Sequence, residues 1–145
     1  MKYLIPIIVL ALLLTSCETT SPDGNAQLIT MEELTTTPGY AWFPAEMAVY
    51  TPSQAMLDTI AVKYQPTQHK ILVFVKPSCS CRGTQRLFPQ IMKTIQESSI
   101  SMDDVEIWSM RSESDSHPYE ANITITDLPV VYVMYNGVVK GNVQE

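Results

Sequence analysis

Three apolar runs along the chain have the patterns expected of β-strands. Residues 71–75 are continuously apolar and rich in β-branched side chains, which is typical of a strand buried on both faces of a sheet. Residues 105–110 alternate apolar and polar side chains, and residues 130–135 form another apolar run. Asn136-Gly137 follows at once, and this dipeptide is a strong signal for a β-hairpin. The next two residues, Val138-Val139, are therefore predicted to return as a paired strand.

Segments with apolar residues at helical spacing lie before and between these runs. Ser53 is a plausible N-cap for a helix that Pro66 ends, and residues 85–97 carry apolar side chains at helical spacing with Pro89 as an expected kink. Two further segments are weaker, an edge strand at 47–50 and one or two helical turns at 117–122. From Ser53 onward the order α-β-α-β-α-β-β predicts an α/β fold, with a mixed sheet and helical crossovers on each side.

The first residues resemble an export signal. Lys2 precedes an apolar stretch at residues 4–14, which is too short to span a bilayer and suits a signal-peptide core. The stretch ends in Leu-Thr-Ser-Cys17, which resembles the bacterial lipoprotein signal and implies a lipid on Cys17 after removal of residues 1–16. The alternative is an ordinary secretory signal with an incidental cysteine. We expect lipid anchoring in the cell envelope, on the periplasmic side or at the cell surface.

Composition and charge limit the domain organisation and the partners of the remaining chain. Residues 17–39 are rich in Thr, Ser and Pro and are interpreted as the lipidated cysteine and a flexible tether, followed by one domain at residues 40–145. The net charge is -6 and there is no basic run, so nucleic acid is not expected as a partner. The chain has three cysteines, and lipidation of Cys17 would leave Cys79 and Cys81 as a pair in an oxidising compartment.

The segment Cys79-Ser80-Cys81 lies between a predicted strand and a predicted helix. Residues two apart point to nearly opposite sides of a helix, so a disulfide between these cysteines requires a turn just before the helix. The reactive species in disulfide exchange is the thiolate, which a helix N-terminus and the neighbouring cations Lys76 and Arg82 would favour. The small ring is expected to be easily reduced.

Residues 71–141 resemble the thioredoxin family. The matching pieces are the strand, the cysteine loop, the helix with Pro89, the strand at 105–110, the segment Asp127-Leu128-Pro129 and the hairpin. The resemblance implies a thioredoxin-like fold with a mixed central sheet and flanking helices. It also implies a cis Pro129 beside the disulfide, and backbone groups of Leu128 offered to a substrate chain.

The cysteine site departs from the usual Trp-Cys-Gly-Pro-Cys of that family. When positions are matched to the family by counting from Phe74, Cys79 is the attacking cysteine and Arg82 occupies the resolving position. We prefer this count. Arg82 is also a candidate contact for the substrate. Counting back from Pro89 instead makes Cys81 the attacker and puts Thr84 at the resolving position. We also expect the family's usual C-terminal helix to be absent, since few residues follow the hairpin in this sequence.

The function predicted from these residues is thiol–disulfide exchange with protein substrates through Cys79 and Cys81. The expected partners are protein thiols or disulfides and an unidentified electron donor or acceptor, with no cofactor. One alternative is a copper or zinc carrier, because paired thiolates bind soft metals. No metal ligand is assigned, since none of the further donors has a diagnostic spacing; they are His69, Met102, Met110 and His117. The other alternative is a binding module without turnover.

Overall fold

The structure, a computed structural model, describes residues 24–144. Five strands form one sheet: β1 Gln27–Ile29, β2 His69–Val75, β3 Val105–Ser109, β4 Val130–Tyr135 and β5 Val138–Gln144. Their order across the sheet is β1-β3-β2-β4-β5. Strands β2 and β3 are parallel and all other neighbours are antiparallel, so the predicted mixed sheet is confirmed.

The helices of the described residues are α1 Met31–Thr36, α2 Trp42–Val49, α3 Gln54–Lys63 and α4 Phe88–Glu97. The Ser53 cap of α3 is confirmed, because its side chain accepts a hydrogen bond from the backbone N–H of Met56. No helix follows β5 within the described residues, which end at Gln144. None of the helices in residues 24–144 is both long and apolar enough to cross a membrane.

Strand β2 divides the core into two layers. Its side chains at Ile71, Val73 and Val75 enter a cluster with α1, α2 and α4, whereas Leu72 and Phe74 enter a second cluster on the opposite face. All five are buried, as the continuous apolar run predicts. The hairpin is also confirmed: Asn136 and Gly137 have φ values of 48° and 75°, the left-handed conformation that a tight hairpin turn requires.

Helix α2 occupies a segment for which we predicted a different structure. The expected edge strand at residues 47–50 is wrong, since residues 42–49 are helical. Phe43 and Met47 are four residues apart and share the buried face of α2, where the Phe43 ring lies 5.0 Å from that of Phe88 on α4. Pro44 is compatible with this helix because it falls in the first turn, where its missing N–H would have no partner.

The connection from β3 to β4 is irregular. The helical turns expected at 117–122 are wrong, since this segment contains hydrogen-bonded turns and no helix, so no helical crossover covers this face of the sheet. Ile123, Ile125 and Leu128 from the connection cover the second core cluster instead. The buried Asp115 accepts hydrogen bonds from the backbone N–H of Arg111 and the hydroxyl of Ser112, which organises the start of the segment.

Glu106 on β3 ties this connection to the sheet. Its carboxylate accepts hydrogen bonds from Lys70 at 2.5 Å, Tyr119 at 2.6 Å and Trp108 at 2.9 Å. Burial alone would raise the pKa of Glu106, but these hydrogen bonds and the charge of Lys70 together lower its pKa below the ordinary value. The carboxylate is therefore held in its charged form, with three donors around it.

The packed structure begins before the boundary that we predicted at residue 40. Residues 27–29 pair with β3, and Leu34 of α1 is fully buried in the first core cluster. Thr30 and Glu33 form a capping box, in which each side chain bonds the other residue's backbone N–H, and this fixes the start of α1. Residues 25–39 are thus folded against the domain. The predicted signal peptide, Cys17 and the first part of the tether lie outside the described residues.

Candidate functional site

Cys79 and Cys81 form a disulfide in the loop that follows β2, with their Cα atoms 5.2 Å apart. The backbone N–H of Cys79 donates to the carbonyl of Lys76 at 2.9 Å, so residues 76–79 make a tight turn. The helical segment begins only at Arg82. The pair therefore lies in a turn directly before a helix, as its spacing predicts. Both cysteines are half-buried, and the neighbouring residues Ser78, Ser80 and Arg82 are exposed.

Hydrogen-bonding groups surround the two sulfurs unequally. The Cys79 sulfur accepts the backbone N–H of Cys81 at 3.1 Å. The Cys81 sulfur lies 3.3 Å from the hydroxyl of Thr84, which is fully buried and also 3.4 Å from the carbonyl oxygen of Lys76. A disulfide sulfur carries no proton, so in the oxidised protein the Thr84 hydroxyl is the only hydrogen-bond donor among the Cys81 sulfur, the Thr84 hydroxyl and the Lys76 carbonyl. Cys81 is thus the sulfur in contact with the buried hydroxyl.

Pro89 shapes the helical segment that follows. Gly83–Leu87 is a π-helical turn, and the N–H of Phe88 donates to the carbonyl of Gly83, five residues back. Pro89 has no N–H to continue the ordinary pattern and stands in the first turn of α4. The expected irregularity at Pro89 therefore takes the form of a wider turn. This turn leads from the cysteine loop into α4, whose Phe88 and Met92 are fully buried.

Leu128-Pro129 lies at the same end of the sheet as the cysteine loop. The peptide bond between these residues is cis, as the sequence resemblance implied. Phe74 near the end of β2 pairs with Val130, so the chain enters β4 beside the point where β2 leaves for the cysteines. Leu128 is buried in the second core cluster, and its N–H donates to the side chain of Asp127 at 2.8 Å.

Arg82 and Arg86 border a cavity beside the cysteine loop. Its volume is about 460 Å³, and its lining consists of Arg82, Arg86, Leu87 and Gln90. Arg82 is exposed, whereas the fully buried hydroxyl belongs to Thr84, so the position three after Cys79 is a surface residue. The Arg86 guanidinium lies 3.6 Å from Glu46, and Gln90 donates to the same Glu46 oxygen at 3.1 Å.

The histidines considered as extra metal ligands are engaged elsewhere. His117 packs its ring 4.9 Å from Phe74, and its pKa is lowered by burial against a smaller opposing effect of Glu120. His69 lies 4.9 Å from Tyr135, with Nδ1 3.0 Å from the backbone N–H of Gln65. Met110 is buried in the second core cluster. Within residues 24–144, no three His, Cys, Asp or Glu side chains are grouped as metal ligands.

The comparisons identify no relative for this chain: no family model, no curated protein and no solved structure matches it. The site is therefore judged on its geometry. Sequence reasoning selected both cysteines and Pro129, and the structure shows the disulfide and the cis bond. It did not find Glu46 or Gln90 as neighbours of the arginines, because Glu46 belongs to a helix that was not predicted. Thr84 had a local signal, since a residue three after Cys81 shares its side of a helical turn.

Proposed function

We propose that this protein is a thioredoxin-like thiol–disulfide oxidoreductase of the cell envelope, which exchanges disulfides with protein substrates through Cys79 and Cys81. The cis bond before Pro129 and the mixed sheet support the resemblance that suggested this function. The anchoring part of the proposal, a lipid on Cys17, rests on the sequence of the first seventeen residues.

One observation carries the redox proposal: the disulfide is half-exposed and joins residues only two apart. A cross-link stabilises a fold mainly by restricting the unfolded chain, and that effect grows with the length of the loop it closes. The loop here is among the shortest that a disulfide can close, so its structural value is small. Exposure to another protein's disulfide, by contrast, is what exchange chemistry needs.

The count from Phe74 supports a division of roles, with Cys79 attacking and Cys81 resolving. In the reduced protein, the Cys79 thiolate attacks one sulfur of a substrate disulfide; that bond breaks, and the departing substrate thiolate takes a proton from solvent. The Cys81 thiolate then attacks the Cys79 sulfur and releases the second substrate thiol. Two electrons pass to the substrate, and the Cys79–Cys81 disulfide forms. A dithiol donor restores the reduced pair.

Trapping of the mixed disulfide tests this assignment. The Cys81→Ser variant should accumulate covalent adducts with a disulfide-containing protein, visible as reductant-sensitive bands on a non-reducing gel. The Cys79→Ser variant should not, and the double variant Cys79→Ser/Cys81→Ser is the matched control for non-specific adducts. The opposite pattern would make Cys81 the nucleophile, in agreement with the count from Pro89. The wild-type protein should also catalyse the reduction of a protein disulfide by dithiothreitol. If it shows no such activity and neither single variant forms adducts, the proposal is refuted and a binding role is favoured.

A further inference from the structure

The cavity beside the cysteine loop is a second feature of the site. Its polar lining comes from positions 82, 86 and 90, which are spaced by four residues and share the exposed side of the helical segment. Leu87 adds an apolar wall. Arg82 directly follows Cys81, so a chain whose disulfide lies against the cysteines has neighbouring residues within reach of this cavity. The cavity is therefore placed to contact the residues that flank a substrate disulfide.

The two arginines differ in how far their charge is balanced. Arg86 has a loose ion pair with Glu46, and its side chain is 63% exposed. Glu46 divides its oxygen between Arg86 and Gln90, whose amide is thereby oriented. The side chain of Arg82 has no hydrogen bond or ion pair with any of residues 24–144. One guanidinium at the cavity is left with all its donors available.

The charge that matters here is that of the cavity lining itself. Lys76 after β2, Asp127 before the cis bond, and residues 111–115 after β3 add two cations and three anions at this end of the sheet, so the end as a whole is balanced. At the cavity, Arg82 and Arg86 face only the carboxylate of Glu46 among the described residues. The lining is therefore positive, on a chain whose net charge is -6. Such a local field attracts anionic partners and repels cationic ones.

We propose that this cavity binds carboxylate side chains of the substrate, so that the protein acts preferentially on disulfides flanked by Asp or Glu. The inference rests on the proposed thiol–disulfide exchange and specifies its substrate class. A guanidinium presents parallel N–H donors that match the two oxygens of a carboxylate. The oriented Gln90 amide supplies a further donor, and Leu87 can contact the methylene groups of a Glu side chain. The exchange step is unchanged; only the position of the substrate is affected.

Three peptide substrates with one intramolecular disulfide test the preference. They are identical except for two flanking positions, which are Glu-Glu, Gln-Gln or Lys-Lys. The full chain is reduced with dithiothreitol, freed of the reductant and mixed with each peptide, and the second-order rate of peptide reduction is measured. The acidic peptide should react about twofold to fivefold faster than the neutral one, in line with the strength of exposed ion pairs, and the basic peptide should be slowest. The differences should shrink as salt is raised.

Charge-neutral variants connect the preference to the cavity. Arg82→Gln should remove most of the rate advantage of the acidic peptide over the neutral one, and Arg82→Gln/Arg86→Gln should abolish it. The readout is the ratio of the two rates, because any loss of thiolate stabilisation by Arg82 lowers both rates by the same factor. Lys63→Gln on α3 loses the same charge outside the cavity and should retain the preference. Thermal unfolding of each variant confirms that the fold is intact.

The outcomes separate this inference from the proposed function. If all three peptides react equally, or if Arg82→Gln slows the neutral peptide as much as the acidic one, the carboxylate site is refuted and disulfide exchange stands. If inorganic phosphate inhibits more than chloride of equal ionic strength while the acidic peptide has no advantage, the cavity is a small-anion site and the inference is again refuted. If no peptide is reduced, the proposed function fails and the inference fails with it.

Discussion

Leu34 offers the sharpest test of where the folded unit begins. Its side chain is 0% exposed and lies in the first core cluster, although residues 17–39 were predicted to be a tether. Truncating a buried leucine to alanine costs about 2–5 kcal/mol, the sum of lost burial and the cavity left behind. Helix α1 has only six residues and lies near the start of the described chain, so it can partly collapse into the cavity. We therefore expect Leu34→Ala to lose about 2–3 kcal/mol, in the lower part of that range.

Urea unfolding of residues 24–145 in the oxidised state, followed by tryptophan fluorescence, measures this loss. With an m value of about 1–3 kcal/mol/M, a loss of about 2–3 kcal/mol lowers the midpoint by roughly 1–3 M. Leu28→Ala is the matched control, because the same substitution falls on β1 at a side chain that is 56% exposed; it should change stability by less than about 0.5 kcal/mol. Equal stability of the two variants would show that α1 does not pack on the domain, and the boundary at residue 40 would be restored.

Three further predictions concern the anchor, the core and the redox site. Cys17→Ser should release the protein from the membrane fraction of the cells that express it, and retention there would contradict the lipid anchor. Glu106 has a pKa below the ordinary 4.5, so its contribution to stability is present above that pH and is lost as the pH falls through the lower folded value; Glu106→Gln, which weakens the bond to Lys70, should flatten the acid side of the stability profile. The Thr84 hydroxyl lies beside the Cys81 sulfur, and its hydrogen bond is stronger to the thiolate of the reduced protein than to the sulfur of the disulfide. Such a bond is worth about 0.5–1.5 kcal/mol, so Thr84→Val should make the disulfide about threefold to tenfold harder to reduce in a dithiothreitol titration. An unchanged titration would mean that the hydroxyl serves both states equally.

The core strands and the cysteine turn could be predicted because their signals are local. The run at residues 71–75 is apolar at every position, and only a strand covered on both faces buries all of them. Asn136-Gly137 adopts the left-handed conformation that these two residue types tolerate best. The spacing of Cys79 and Cys81 excludes a regular helix at the pair. In each case the conformation follows from neighbours a few residues away.

The elements that were predicted wrongly depend on distant partners. The segment 42–49 contains a proline and is apolar at every position except Glu46, so its pattern does not indicate a helix. Its helical state is decided by packing of Phe43 on Phe88, forty-five positions later. Residues 117–122 have some helical character, but Tyr119 is held by Glu106 on the neighbouring strand and the backbone follows that attachment. Local propensity is a weak preference of a few tenths of a kcal/mol per residue, and such contacts exceed it.

By itself, the sequence determined the central strands, the hairpin, the capped helix at Ser53 and the two cysteines that pair as a disulfide, because each depends on residue types within one turn or one strand. Only the tertiary structure decided that residues 27–36 join the domain, that an irregular segment covers one face of the sheet and that Glu46 meets Arg86 and Gln90 beside the cysteines. The physical reason is that burial and ion pairing are properties of surfaces brought together by folding. Residues 27–36 carry Leu28, Ile29, Met31 and Leu34 among polar residues, and this local pattern does not show that a pocket for Leu34 exists elsewhere in the chain.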